Sequence, residues 1–112
     1  PAVAAEAQHM IGRCYSEKKD WPKAVAALTA SLAAKPDWQL ADETLLLLGY
    51  AHEQAGDVPA ALADWEKLLD GYPKSVHRGA ALFRTAEAQF NKSNFVAAAE
   101  AYQKLVETIP DD

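Results

Sequence analysis

Small and apolar residues return along this chain on a fixed step of 37 positions. Gly12, Gly49 and Ala86 form one column, Ala24, Ala61 and Ala98 a second, and Leu28, Trp65 and Tyr102 a third. Pro36, Pro73 and Pro110 punctuate the chain on the same step, as do Asp20, Asp57 and Asn94. A constant period in this range marks a stack of like supersecondary units rather than one globular core. Each unit carries an apolar face that it cannot cover alone, so stability must come from the interfaces between neighbours.

The units run over residues 1–37, 38–74 and 75–112, and each divides into two helical stretches joined by a short turn. The pattern predicts helices at 2–17, 21–34, 40–55, 58–71, 76–91 and 95–108. Ala, Leu, Glu, Lys and Gln fill them, the better helix formers. No alternating or β-branched run suggests a strand. The predicted fold class is therefore all-α.

Turn chemistry agrees from unit to unit. Asp20, Asp57 and Asn94 each precede a second helix, where a side-chain oxygen can accept from a free first-turn amide. Pro22 and Pro59 fall in that first turn, where no ladder donor is lost. Gly56 follows a first helix, where a left-handed residue is wanted. Lys19 and Ser93 hold that position in the other units, at a cost. Ser75 is placed to cap the fifth helix, and Pro110 to end the sixth.

These residues resemble the tetratricopeptide repeat, whose helix–turn–helix unit reads W-x2-L-G-x2-Y…A-x3-F…P. The second unit reads Leu45-x2-Leu48-Gly49-x2-His52…Ala61-x3-Trp65…Pro73. The first reads Gln8-x2-Ile11-Gly12-x2-Tyr15…Ala24-x3-Leu28…Pro36, and the third Leu82-x2-Thr85-Ala86-x2-Gln89…Ala98-x3-Tyr102…Pro110. The resemblance spans essentially the whole chain. It implies a right-handed α-solenoid of three helix–turn–helix repeats, six antiparallel helices in all. The period is about three residues longer than the family's 34. Long repeats with an ending like Tyr72-Pro73 are similar to those of bacterial cell-envelope proteins, the Tol-Pal-associated and outer-membrane assembly families. That similarity implies a periplasmic setting.

The columns then acquire roles. Gly12, Gly49 and Ala86 lie where the two helices of a unit cross closely, facing Ala24, Ala61 and Ala98. Leu28, Trp65 and Tyr102 fill the gap between units. Trp21, Val58 and Phe95 pack where each second helix begins. Trp38, in the linker between the first two units, either plugs that junction, the favoured reading, or stands exposed as an anchor for a partner.

Charge narrows the function. The net charge of −5 argues against nucleic acid, which demands clustered Lys and Arg. No apolar run approaches the roughly 20 residues of a membrane span. One cysteine, Cys14, cannot build a disulfide framework. Its column continues as Ala51 and Ala88, so it is expected to be a small buried side chain. The chain begins at Pro1 and is close to three periods long, which fits a piece cut from a longer repeat protein.

Catalytic chemistry finds no support. His52-Glu53 opens like a zinc-protease helix, but Gly56 stands where the second His is required. His52 occupies the family's Tyr position and is expected to pack between helices. His77 lies near a helix start and is expected at the surface. Glu6, His9 and Arg13 share one helix face and read as a surface polar cluster. No phosphate loop occurs, and no cofactor or metal is implied.

In tetratricopeptide stacks the first helices line a concave groove. The resemblance therefore implies a partner-binding set of Glu6, His9, Arg13 and Glu17, then Glu43, Leu46, Tyr50 and Glu53, then Phe83, Glu87, Phe90 and Asn91. Ser16, Gln54 and Ala80 border it. Leu46, Tyr50, Phe83 and Phe90 would form an exposed apolar stripe between carboxylates, suited either to a peptide with apolar anchors and positive charge or to cover by a further repeat or another domain of the same parent chain. Some family members clamp an acidic carboxylate tail. The matching positions hold His9, Arg13, Tyr50, Ala80 and Arg84, and only Arg84 fits. The expected function is non-catalytic binding of a protein or peptide partner. A structural role, with exposed terminal repeats building homo-oligomers or a longer scaffold, is the alternative. An accessory domain of a larger enzyme is a third.

Overall fold

The computed structural model describes residues 1–109. Six helices follow one another: α1 (Ala2–Glu17), α2 (Trp21–Ala34), α3 (Ala41–Gln54), α4 (Val58–Gly71), α5 (Arg78–Asn91) and α6 (Phe95–Thr108). No strand occurs among the described residues. Each helix packs on its neighbours in the chain, and α1 also touches α3. The result is an all-α helical-repeat solenoid, 38 × 28 × 21 Å in extent. Pro110, read as the end of the last helix, lies outside the described residues.

The turns inside the hairpins follow the expected chemistry. Lys19, Gly56 and Ser93 all adopt positive φ, at 59°, 91° and 63°. Asp20 accepts from the Lys23 amide at 3.3 Å, and Asp57 from the Ala60 amide at 3.1 Å. Asn94 departs from this pattern. It makes no cap bond, and its Nδ2 donates instead to Gln89 Oε1 at 2.8 Å.

The linkers between hairpins differ from expectation. α3 starts at Ala41 and α5 at Arg78, later than the pattern predicts. Residues ahead of each helix form turns, closed by Ala41 N–H to Trp38 O and Arg78 N–H to Ser75 O. Ser75 is therefore not the N-cap of α5; that position is His77. The Ser75 hydroxyl accepts from the His77 amide and donates to Asp42 Oδ2 at 2.6 Å, tying the turn to α3.

Close helix crossing is visible at the glycines. A Cβ on Gly12 would lie 2.5 Å from the Leu28 side chain, and one on Gly49 would collide with the Trp65 indole. Ala24, Ala61, Leu28 and Trp65 are all fully buried. Trp65 also donates to the Leu46 carbonyl of α3 at 3.3 Å. One cluster gathers Leu45, Ala61, Trp65, Leu68, Ala81 and Ala88, spanning α3, α4 and α5. A second gathers Ala24, Leu28, Leu48 and Ala51 across α2 and α3.

Trp38 is the plug that was expected. It is buried with Ala5 and Ala41, and its Nε1–H donates to Thr44 Oγ1 at 3.1 Å. Cys14 is a correction: it is exposed, whereas Ala51 and Ala88 in the same column are buried. The cause is position. Ala51 and Ala88 pack against the preceding helix pair, and no helix precedes α1 among the described residues.

Candidate interaction surface

The first helices α1, α3 and α5 supply the predicted partner-binding residues, but the structure divides them into three groups. The first group is internal. His9 is a correction, because it is 1% exposed and not part of a surface cluster. Its Nδ1 lies 2.8 Å from Thr44 Oγ1 and its Nε2 2.9 Å from Glu43 Oε2. The Thr44 hydroxyl lies 3.0 Å from the Leu40 carbonyl and accepts from Trp38 Nε1–H at 3.1 Å, so the His9 ring, the Trp38 indole and the Leu40 carbonyl meet on one oxygen. The Trp38 ring meets His9 edge-on, with centroids 5.2 Å apart. Glu43 is half-buried and shared, its other oxygen 3.8 Å from His77 Nε2. His77 is accordingly half-buried rather than free at the surface. This network ties α1 to α3 and to the start of α5.

The second group lines a pocket of about 490 Å³. Glu17 comes from the end of α1, and Leu46 and Tyr50 from α3, with Ser16 and Gln54 beside them. The pocket also takes in Lys19, Trp21, Leu47 and Arg84. Tyr50 is held on two sides. The Trp21 indole meets it edge-on at 5.6 Å, and the Arg84 guanidinium sits over its ring at 4.5 Å. Such a cation over an aromatic face is attracted by the ring quadrupole. Burial pushes the nearby Glu53 carboxyl above its ordinary value; Arg84 draws it back and Glu87 raises it further.

The third group lies apart from this pocket. Phe83 and Phe90 remain about half exposed, at 48% and 56%, but each turns toward α6. Phe83 packs edge-on against Tyr102 and Phe90 against Phe95. Phe83 and Phe90 thus each carry an aromatic partner from α6, as Tyr50 carries Trp21 from α2. Glu6, Arg13, Glu87 and Asn91 are exposed and outside the pocket lining.

Sequence reasoning gives Trp21 a packing role only and weighs Arg84 only as a carboxylate ligand. The structure makes both of them walls of the same pocket. Arg84 shares a column with Leu47 and Met10, so the repeat pattern carries no sign of a guanidinium stacked there. On the opposite side of α3, His52 Nδ1–H donates to Asp64 Oδ2 of α4 at 2.6 Å, packing between helices as expected. Burial raises the Asp64 carboxyl above its ordinary value, and the His52 hydrogen bond opposes that rise.

Among the described residues no group of three or more His, Cys, Asp or Glu side chains could hold a metal ion. No helix there is long and apolar enough to cross a membrane. No curated protein sequence matches the chain. Two tetratricopeptide repeat family models match it, one over residues 6–36 and the other over residues 46–112. The second alone spans more than half of the chain, and both fall on stacked helical hairpins with glycine crossings and left-handed turns. The chain belongs to the tetratricopeptide repeat family.

Proposed function

We propose that this chain is a non-catalytic protein-interaction module that takes a peptide segment of its partner into the pocket around Tyr50. Repeats of this family generally serve as protein–protein interaction modules. The observation that carries the reading is Tyr50 itself, a half-exposed aromatic ring already held by Trp21 and Arg84. A rigid aromatic anchor loses little side-chain freedom on binding, which is why such residues dominate interfaces. Leu46 and Leu47 supply apolar wall beside it. Glu17 at the rim, with Glu53 and Glu87 near Arg84, favours a cationic flank on the partner. The matching ligand is a segment with one or two apolar anchors flanked by Lys or Arg, laid across the first helices. The repeat period of 37 and the Tyr72-Pro73 ending further support kinship with cell-envelope repeats, and hence a periplasmic partner.

Selection from a random peptide pool tests this reading. Enriched sequences are expected to share an apolar residue flanked by basic ones. Tyr50→Ala is expected to weaken them at least about tenfold, a loss of roughly 1.4 kcal/mol, with helical content unchanged. Enrichment of acidic peptides, or binding indifferent to Tyr50→Ala and Leu46→Glu, would overturn it.

A further inference from the structure

A second pocket, of about 680 Å³, opens between α2 and α4 over the floor that α3 provides. It shares no lining residue with the pocket around Tyr50. Leu32, Pro36, Leu48 and Tyr72 give it apolar walls, and His52, Asp64 and Lys67 gather polar chemistry at it. An apolar cavity of this size with a few convergent polar groups has the build of a small-molecule site. The polar group is ordered. Asp64 is buried and takes the His52 Nδ1–H at 2.6 Å. A carboxylate on Nδ1 fixes the tautomer and leaves Nε2 as a lone-pair acceptor. Among the described residues Nε2 has no hydrogen-bond partner, and it is not among the buried unpaired atoms, so it is open to a ligand. Lys67 makes no ion pair among the described residues.

The repeat does not ask for this arrangement. One period before His52 and Asp64 stand Tyr15 and Ala27, and one period after stand Gln89 and Ala101. The matching groove one unit on is smaller, about 360 Å³, and more polar, with Thr85 in place of Leu48 and Asp70 in place of Ala33. Only the middle unit joins an apolar groove to a His–Asp pair. Burial raises the Asp64 carboxyl, with His52 and Lys67 opposing the rise, so the pair is held at a cost that helix packing does not require.

We propose that this pocket binds a small carboxylic acid with an apolar body, its carboxylate on His52 Nε2 and Lys67 Nζ and its chain along Leu32, Leu48 and Tyr72. Charge selects the acid. Asp64 already holds its partner in His52, so the groups left open are a ring nitrogen and an ammonium. An ionised acid arrives with a proton from solvent that settles on Nε2. The ring then donates from both nitrogens, to Asp64 and to the ligand, as an imidazolium between two carboxylates. Such charge-assisted bonds are the stronger class.

Decanoate is the probe, titrated into the isotopically labelled chain and followed by NMR and calorimetry. Amide shifts are expected at Leu32, Leu48 and Tyr72, and the His52 ring nitrogens are expected to move to imidazolium positions. Decanol and decylammonium are each expected to bind at least about tenfold more weakly. His52→Gln and Lys67→Ala are each expected to weaken decanoate, His52→Gln by at least about tenfold, with helical content unchanged by circular dichroism. Lys67 is exposed, so its variant tests the site without touching the core. Asp64→Asn keeps an acceptor for Nδ1–H but lacks the charge that supports the imidazolium, so it is expected to weaken decanoate while the fold gains stability. Decanoate that leaves these amides unmoved overturns the proposal. So does binding indifferent to both His52→Gln and Lys67→Ala, or decanol or decylammonium binding as tightly as decanoate, since either signifies apolar adsorption only.

Discussion

Single residues set how closely the helices approach, and Gly49 is the clearest case. Its missing Cβ is the space that the Trp65 indole occupies, and Trp65 is fully buried. Gly49→Ala inserts a methyl group against a ring that has no room to withdraw. Overpacking of this kind costs about 1–3 kcal/mol, and the loss is measurable as a lower urea midpoint. Asp64 makes a different prediction. Its carboxyl is raised by burial, so the folded chain holds that proton more tightly than the unfolded chain does. The resulting stability is present below the ordinary carboxylate value of 3.8 and is lost as pH rises through the folded value. At neutral pH the ionised group therefore costs stability. Asp64→Asn keeps an acceptor for the His52 N–H and removes the buried charge. Its melting temperature is expected to exceed that of the wild type near about pH 8, with the gap closing toward about pH 4.

At the scale of the helix and its turns, the boundaries set by side-chain chemistry were legible in advance. α2, α4 and α6 begin one residue after Asp20, Asp57 and Asn94, because the left-handed turn and the capping position leave little choice. The starts of α3 and α5 were less legible. Leu40 and Val76 are compatible with a helix, but tertiary contacts hold the preceding segments in turns, through Trp38 at one junction and Ser75–Asp42 at the other. The turn residues also carry a prediction. Lys19 and Ser93 hold the left-handed conformation that Gly56 holds without strain. Lys19→Gly is expected to stabilise the chain by about 1 kcal/mol, read as a higher melting temperature. No gain would mean that the turn has relaxed by other means. Ala61, fully buried where α4 meets α3 and α5, is expected to tolerate no charge. Ala61→Glu should abolish cooperative unfolding of the middle hairpin, and an unchanged melting curve would refute the packing described for it.

For the whole molecule, periodicity is informative inside the stack and misleading at its edges. The Cys14 column predicts burial because its two internal members are buried, yet α1 has no preceding helix among the described residues to supply it. His9 fails in the opposite direction. Its column continues as Leu46 and Phe83, which are progressively more open, but Trp38 covers His9 where the next linker has only Ser75. A linker side chain carries no periodic signal of where it will lie. The candidate site was half legible for the same reason. Leu46, Tyr50 and Glu17 follow from the family resemblance, whereas Trp21 and Arg84 join them only through three-dimensional packing. The most direct test of the interaction account is to titrate a selected basic-apolar peptide into the isotopically labelled chain and map amide shifts by NMR. The account predicts that the largest shifts fall on Leu46, Leu47, Tyr50 and Arg84. Shifts confined to the outward faces of α2 and α4, or to the exposed ends of α1 and α6, would contradict it.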